Sequence, residues 1–533
     1  MYATLKRVGR IVGEASPTEF LFVADKENHP SKYEYVTVIS RELVGEEIKE
    51  VHVLAQVIGV VSKSLSYRDD LDFEALERMY RAGIEDVNVV CKARTLGYLV
   101  EIEERKEILM PRRAIYPGNE VYIAPDNLVS EFFSYPADEG LHIGYLISRP
   151  TIPVYISING FKRHLAILAQ TGAGKSYTVG VLVEELLAKG ATVIVIDPHA
   201  DYVFLSRKVD GSLYDYADRI KVFRNPNSTG RYSEEELDNV LSYTIRFSDL
   251  SGEDVCEIIG IPEAWSNIKN AIVKAINSLK GDMGDAYTQE HFIEILERSK
   301  DQHSQRALKY ARKIKRFKVF GAITTPIDEM LKPAQVSVVD LSGLNDASMD
   351  YIVYRILSDA FYRVASQQFE YPVFLFIEEA HKFIPPRNIK RMSREIITTI
   401  AAEGRKFGVF MTLISQRPSK IDSDALSQCN SQIILKVSNP LDQRAIRESS
   451  ERLGESLLRD LPGLNIGEAV IVGEITKAPV MVKIRKRITK EGGADIDVIK
   501  MLRMAREEAE IEERISKERY ESLSTEDSMW SEI

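Results

Sequence analysis

The segment 169–176 (AQTGAGKS) constrains the fold of this chain more than any other feature. It follows the apolar run Leu165–Leu168 and precedes a run with helical spacing at 177–188. Spaced glycines and a final Lys-Ser, between a strand and a helix, are typical of the phosphate-binding loop of NTPases. The pattern departs from its usual form at Ala169, where glycine is common. It predicts an α/β core with a phosphate site at the end of a buried strand.

The residue types of this loop suit a nucleotide. Gly172 and Gly174 allow the backbone to turn so that successive N–H groups face phosphate oxygens, and the helix N-terminus adds partial positive charge. Lys175 is expected to reach the β- and γ-phosphates, and Ser176 to offer its hydroxyl to Mg²⁺. We therefore predict that ATP and Mg²⁺ are bound by Gln170, Thr171, Gly172, Ala173, Gly174, Lys175, Ser176 and Tyr177, with support from Asp197 after the next strand.

Two carboxylates follow the apolar run Val373–Ile377. In a P-loop NTPase a carboxylate at this place helps to hold Mg²⁺, and the next one can polarise the attacking water. We predict that Glu378 belongs to the metal site and that Glu379 is the catalytic base. Because Glu378 is one methylene longer than the usual aspartate, we expect it to contact the metal through a water ligand.

Three more polar residues are candidates for the same site. Gln416 follows the apolar run 409–414, where a polar residue can contact the γ-phosphate. Arg405 closes the helix after the acidic strand, and Arg163 precedes the first strand. Arginine suits an interfacial phosphate site because its planar fork is always charged. We predict that Arg405 enters the active site of an adjacent subunit; an ordinary surface position is the alternative for both arginines.

The chain divides into three regions by pattern. Short β-branched runs in 1–150 indicate a small β-barrel or sandwich. From 151 to 490, near-continuous apolar runs alternate with amphipathic helices, as a parallel sheet covered on both faces requires. Within it, 233–332 reads as an all-helical insertion opened by a capping box at 233–236. The last region, 491–533, begins as a charged helix and is an arm or a solvated tail. The predicted strands of the sheet are 165–168, 192–196, 336–341, 373–377, 409–414, 433–437 and 469–472.

Composition excludes several classes of protein. Cys91, Cys256 and Cys429 are far apart, so a disulfide framework and a structural zinc site are excluded. No apolar run is long enough to span a bilayer, and we expect a cytoplasmic protein. The net charge of −10 over 533 residues argues against a uniformly basic nucleic-acid binder. Charge is nevertheless uneven, because 306–318 holds seven basic residues and no acidic one.

A basic loop follows the predicted catalytic strand. Residues 385–406 hold six basic and two acidic residues. We predict that Arg387, Lys390 and Arg391 present cations to the phosphate backbone of a nucleic acid and bind it independently of sequence. A solvated loop is the alternative. For 306–318, contact with DNA, contact with an acidic neighbour and a solvated helix face all remain open.

Taken together, these motifs resemble the HerA family of archaeal hexameric DNA translocases, which are related to the FtsK pumps. The resemblance rests on 170–176, 197–199, 377–381, 403–408 and 415–418 and extends over nearly the whole chain. It implies a RecA-like P-loop ATPase domain preceded by a HAS-like β-barrel, and a homohexamer with ATP sites between subunits. It also implies a NurA-type nuclease docked on the barrel and a role in DNA end resection during recombinational repair. For such a ring we predict that Arg387, Lys390 and Arg391 line the pore and bind double-stranded DNA.

The resemblance maps the family's in-trans arginine onto Arg405 and a further site arginine onto Arg163. The chain departs from the family at Ala169, at Glu378, and at Ala200-Asp201, where relatives commonly have Gly-Glu; the last departure leaves Asp201 without an assigned role. The main competing hypothesis is a protein-secretion or conjugation ATPase, which shares the P-loop core. A P-loop switch is a third possibility, and the absence of an NKxD motif weakens its GTPase form.

Overall fold

The first part of the chain forms a closed β-barrel. In this computed structural model the described residues are 5–84, 86–102, 105–450, 452–493 and 498–530. The elements of this part are β1 (Arg7–Ala15), β2 (Glu19–Ala24), β3 (Tyr35–Val44), β4 (Glu47–Lys63), α1 (Phe73–Arg81), β5 (Asn88–Ile102), β6 (Arg105–Leu109), β7 (Glu120–Ile123) and α2 (Asp126–Phe132). The strands pair in the order β2-β1-β7-β3-β4-β5-β6, and β2 also pairs with β5. That last pairing closes six strands into a barrel and removes their exposed edges.

A sheet of twelve strands forms the core of the region after the barrel. Its region contains β8 (Gly140–Leu146), β9 (Pro153–Ser157), β10 (Leu165–Leu168), β11 (Thr192–Asp197), β12 (Ile220–Arg224), β13 (Val240–Ser242), β14 (Ile245–Arg246), β15 (Phe320–Gly321), β16 (Val336–Asp340), β17 (Val373–Ile377), β18 (Val409–Ser415), β19 (Ser431–Ile434), β20 (Glu468–Val472) and β21 (Val480–Ile484). The sheet order is β13-β12-β16-β11-β17-β18-β10-β19-β20-β21-β8-β9, while β14 and β15 pair with each other. The first eight strands of that order are parallel.

Helices cover both faces of this sheet. They are α3 (Lys175–Ala188), α4 (Gly252–Ile258), α5 (Ser266–Met283), α6 (Gln289–Arg298), α7 (Gln302–Ala311), α8 (Asp346–Ala365), α9 (Ser393–Phe407), α10 (Ser423–Ser427), α11 (Pro440–Ser449) and α12 (Glu455–Asp460). Every residue of β10, β11, β17 and β18 is buried, which explains their continuous apolar sequences. The fold class predicted from the sequence is therefore confirmed: an α/β P-loop ATPase fold preceded by a β-barrel.

The segment 233–332 differs from the prediction of an all-helical insertion. It contains α4 to α7, but also the short strands β13, β14 and β15. The capping box of Ser233 and Glu236 does form, yet it opens a three-residue 3₁₀ turn, Glu234–Glu236. The backbone becomes extended at Leu237 because the chain then enters β13 at the edge of the large sheet. A favourable cap therefore did not determine the length of the helix.

Two other boundaries are displaced. The strand predicted at 433–437 is β19, which starts at Ser431 and ends at Ile434. The division placed at residue 150 falls inside the hairpin of β8 and β9, because β8 pairs with β21 of the large sheet. The chain thus leaves the barrel before residue 140.

The carboxyl-terminal residues, Gly492–Ile533, form a separate compact unit. The described residues of this unit include the helix α13 (Val498–Trp530). Ion pairs one turn apart support this helix, Arg506 with Glu510 at 3.0 Å and Lys517 with Glu513 at 2.9 Å. Among the described residues, the structure has no helix long and apolar enough to cross a membrane.

Candidate nucleotide site at the carboxyl edge of the sheet

The predicted site residues follow four neighbouring strands of the parallel sheet. In the register of the sheet, Leu168 at the end of β10 lies beside Ser415 at the end of β18, and Ile196 of β11 lies beside Ile377 of β17. The chain continues from these strand ends into the P-loop, Asp197, Glu378 and Gln416. Because parallel strands present their carboxyl ends at one edge, the sheet brings the predicted residues together there.

The P-loop has the backbone that the sequence pattern predicts. Gly172 and Gly174 have φ of 76° and 100°, a region that suits glycine. A Cβ added at Gly172 would have no neighbour within 4 Å, so the loop borders open space. Ala169 is not in the left-handed region, and its N–H donates to the carbonyl of Ser415 over 3.2 Å. The departure from glycine at Ala169 therefore has no backbone cost.

Lys175 lies between the two predicted carboxylates. Its Nζ donates to Oε1 of Glu378 and, over 3.1 Å, to Oε1 of Glu379. Burial opposes the charge of this ammonium group, but the two carboxylates outweigh it and raise the pKa of Lys175. The lysine is thus cationic and aimed at the strand end where both acids emerge.

Glu378 is enclosed, and its second oxygen is also satisfied. Oε2 accepts a hydrogen bond of 2.9 Å from the hydroxyl of Tyr202. Burial raises the pKa of Glu378 despite the attraction of Lys175. The hydroxyl of Ser176 instead donates to Oδ2 of Asp201 over 2.8 Å. Of the two predicted metal ligands, Ser176 therefore has Asp201 beside it, and Glu378 is bound by Lys175 and Tyr202.

Glu379 has a strained backbone and a strongly acidic side chain. Its φ and ψ of 51° and 43° are left-handed, which is uncommon for a residue with a Cβ. Its Oε2 lies 3.0 Å from Nδ1 of His381. Burial opposes ionisation, but hydrogen bonding with His381 and the charge of Lys175 hold the pKa of Glu379 at about 2. A carboxylate that stays ionised at neutral pH and is held in one orientation is suited to polarising water.

Asp197 supports the loop that follows β11. Its carboxylate accepts backbone N–H groups of His199, Asp201 and Tyr202 at 3.3, 3.0 and 2.8 Å. Burial, with the nearby charges of Asp201 and Asp340, raises the pKa of Asp197 well above its usual range. These contacts favour support of the loop that carries Asp201 as the role of Asp197.

The remaining P-loop residues contact the elements around the loop. Thr171 donates its hydroxyl to Oε1 of Gln416, which brings the predicted γ-phosphate contact to the tip of the loop. Gln170 accepts the N–H of Ser438 over 3.1 Å. The hydroxyl of Tyr177 accepts the N–H of Arg487 over 2.7 Å, so its side chain faces the chain after β21. Ala173 is buried, and its carbonyl accepts the N–H of Gly467 over 3.0 Å.

Arg163 and Arg405 lie at the opposite edge of the sheet from the P-loop. Arg163 precedes β10, and Arg405 is near the end of α9, just before β18 begins. Both are exposed, and within the described residues neither side chain has a hydrogen bond or ion pair. The four residues of β10 separate this edge from the P-loop by about 13 Å. Neither arginine therefore joins the phosphate site of its own chain.

The predicted DNA-contacting residues have different surroundings. Arg387 is exposed and paired with Asp424, and Lys390 is exposed. Arg391 is less accessible, with a side chain that is 25% exposed and lies 3.5 Å from Asp346. The loop is anchored at its end by Arg394, which donates to Asp422 over 2.5 Å.

Sequence reasoning missed four residues of this site: Asp201, Tyr202, His381 and Arg487. His381 lies in the quoted 377–381 motif, so its position was a usable signal. Arg487 is buried, and its Nη1 lies 3.4 Å from the carbonyl of Ser176, which is 311 residues away in sequence. No local pattern could have indicated that contact.

Across the described residues, no group of three or more His, Cys, Asp and Glu side chains could hold a metal ion. A P-loop does not need such a cluster, because Mg²⁺ keeps several waters and phosphate ligands.

Comparison with known proteins gives relatives along most of the chain. Residues 141–360 match the profile described as the central domain of the helicase HerA. The DNA double-strand break repair helicase HerA of Pyrococcus furiosus is 30% identical over 92% of this chain and 96% of its own length. The protein of the same name from Saccharolobus solfataricus is 30% identical over 92% and 95%. The solved structure of the bacterial conjugative coupling protein TrwB is 14% identical, with coverage of 70% and 94% and a TM-score of 0.47.

Proposed function

We propose that this chain, which belongs to the HerA helicase family, is an ATP-driven DNA translocase that acts on double-stranded DNA ends. The observation that carries the proposal is the meeting of Lys175, Ser176 and Glu379 at one edge of the sheet. A cation, a hydroxyl and an ionised carboxylate are the groups that phosphoryl transfer to water requires.

The side chains divide the work as follows. Lys175 is already charged and oriented by Glu378 and Glu379. When nucleotide binds, its ammonium group would donate to phosphate oxygens in place of these carboxylates. Ser176 and Asp201 would hold Mg²⁺ directly or through water, with Glu378 as a further candidate, and the ion would supply charge that stabilises the transferred phosphoryl group. Glu379, oriented by His381, would accept a hydrogen bond from the attacking water.

The position of the arginines supports assembly into a ring. Arg163 and Arg405 are exposed at the edge away from their own P-loop. In a head-to-tail ring, one subunit's amino edge can meet the next subunit's carboxyl edge, so Arg405 would stabilise negative charge developing on the γ-phosphate. We propose six subunits, with Arg387, Lys390 and Arg391 in the pore. Native mass measurement with linear DNA and an ATP analogue tests ring size.

A second part of the proposal concerns domains and partners. We propose an amino-terminal barrel, a motor that begins with β8 and extends to about residue 490 with its insertion, and an arm in 491–533 that braces a neighbouring subunit. The barrel would dock a NurA-type nuclease, and the two proteins would resect DNA ends. Co-purification of such a nuclease with the full chain, and its loss on surface substitutions in the barrel, would test the docking.

The decisive experiment is stimulation of ATP hydrolysis by linear double-stranded DNA. We expect stimulation with the unaltered chain and no turnover with Lys175→Ala. A protein-secretion or conjugation ATPase would hydrolyse ATP without a response to linear DNA. Turnover that persisted in Lys175→Ala would remove the proposed mechanism altogether.

A further inference from the structure

Helices α5 and α7 border an open surface pocket that combines aromatic rings with cations. The pocket measures 530 Å³, within the range of small-ligand sites. Its lining includes Trp265, Asn267, His303, Arg306, Lys309 and Tyr310. We call it the insertion pocket. It belongs to the segment that contains the basic run 306–318, which the ATPase site does not use.

The charge of the insertion pocket is one-sided. Its lining contains no carboxylate, whereas a pocket on the barrel includes Glu50 and Glu120. Arg306 and Lys309 are exposed, and in the part of the chain that the structure describes neither forms an ion pair. Such a surface attracts a polyanion because its positive potential is not cancelled locally.

The aromatic residues present a surface for stacking. Trp265 is 39% exposed, and its ring lies edge-to-face with Tyr310 at 5.4 Å and 73°. Nζ of Lys313 lies 4.9 Å from the centre of the Tyr310 ring. Because the two rings meet edge-to-face, they do not cover each other's faces fully. Exposed ring faces beside cations are the combination by which proteins bind single-stranded nucleic acid without sequence preference.

We propose that the insertion pocket binds single-stranded DNA, with a base stacked on Trp265 and phosphates contacted by Arg306 and Lys309. Helix α5 adds to the site, since it begins at Ser266 with no side-chain cap and its first three residues line the pocket. The bases of duplex DNA are already stacked on one another, so they offer Trp265 no free face. An acidic peptide such as poly-glutamate has no aromatic ring to stack on Trp265. The inference rests on the proposed function, because it takes DNA as the substrate.

A fluorescence titration of the full chain reads this pocket directly. The chain has two tryptophans, and Trp530→Phe leaves Trp265 as its single tryptophan, which is excited selectively. We expect a thymidine oligonucleotide to quench its emission saturably. In the same titration, duplex DNA of the same length and poly-glutamate should have dissociation constants at least roughly fivefold higher, the lower bound for loss of one stacked base.

Variants then separate the cations from general charge. With Arg306→Ala and Lys309→Ala together, the slope of log K against log salt should fall by about 1.4, or about 0.7 for each lost phosphate contact. Lys274→Ala and Lys280→Ala form the matched control, since both lysines are exposed on α5 and do not line the pocket. The control pair should leave quenching unchanged.

Each outcome bears on the proposal. Absence of quenching, equal quenching by poly-glutamate, or quenching by duplex alone would overturn it. An unchanged salt slope in the Arg306–Lys309 double variant would do the same. If linear DNA still stimulated ATP hydrolysis in any of these cases, the proposed function would stand and only the insertion pocket would lose its assignment. If DNA had no effect on either emission or hydrolysis, the proposed function itself would be wrong.

Discussion

Replacing Gly180 by alanine tests whether the buried Arg487 constrains the P-loop helix. Gly180 is an interior residue of α3, whose first residues are Lys175 and Ser176. A Cβ at this position would lie 2.3 Å from Nε and 2.4 Å from Cζ of Arg487. The guanidinium has little room to move, because Arg487 is 4% exposed. Its side chain donates to Thr489, Ser176 and Lys490 over 3.0, 3.4 and 3.1 Å.

Two effects oppose each other in this variant. Alanine in a helix interior gains about 1 kcal/mol relative to glycine. Overpacking costs about 1–3 kcal/mol, and a lost hydrogen bond to a charged group costs about 1.5–3 kcal/mol. The cost exceeds the gain, so we expect Gly180→Ala to lower stability by ~2 kcal/mol. Because the entropy of unfolding is about 2.1 cal/mol/K per residue, 1 kcal/mol shifts the melting temperature of a chain of 533 residues by about 1 °C, and the melting temperature should fall by ~2 °C.

The assay compares melting temperature and the KM for ATP with those of Gly281→Ala. Gly281 is also inside a helix, but a Cβ there meets nothing within 4 Å, so this control should be slightly stabilised. In an Arg487→Ala background, Gly180→Ala should become neutral or stabilising, because the obstructing group is gone. Equal melting temperatures for the two glycine variants, or no coupling to Arg487, would refute the reasoning.

Three further predictions concern Glu379, His164 and Arg405. The pKa of Glu379 is held at about 2, below its ordinary value, so its ionised form persists as pH falls until about pH 2. His381→Ala removes one cause of the lowered pKa. The acidic limb of the pH–rate profile should therefore lie at higher pH in this variant than in the unaltered chain. Burial lowers the pKa of His164 to about 4 from 6.5, so the unfolded chain is protonated at this residue before the folded chain is. About 3 kcal/mol of stability is therefore lost as pH falls from 6.5 to 4. Melting curves should show a smaller loss of stability for His164→Gln over that pH range. Arg405→Ala and Lys175→Ala should each be inactive, yet mixed assemblies of the two should regain ATP hydrolysis, and failure to do so would argue against an arginine supplied by a neighbour.

Local pattern was sufficient for the core of the site. The run Leu165–Leu168 and the helix after it were read from apolar periodicity, and the structure has both where they were predicted. The acids Glu378 and Glu379 were found because they end an apolar strand. These features depend on neighbours in sequence, which is why a sequence alone contains them.

Contacts between distant segments were beyond local pattern. Tyr202 reaches Glu378 because β11 and β17 are neighbours in the sheet. Arg487 follows β21, and it reaches Ser176 because the strand order β10-β19-β20-β21 brings the two segments together. The 3₁₀ turn at Glu234–Glu236 shows the same limit in reverse, since a good helix start was overruled by pairing of the next residues with the sheet. Tertiary context decided both the partners and the lengths of elements.

The departure at Ala200 and Asp201 takes on a specific meaning in the structure. Ala200 has a φ of 60°, a left-handed conformation that glycine adopts without strain. Asp197 holds that turn through backbone N–H groups on both sides of it, and the turn presents Asp201 to the hydroxyl of Ser176. The strained turn at Ala200 therefore places the carboxylate of Asp201 beside Ser176, the predicted metal ligand. Because Glu378 is already bound by Lys175 and Tyr202, Asp201 is the better placed of the two acids to act on that side of the site.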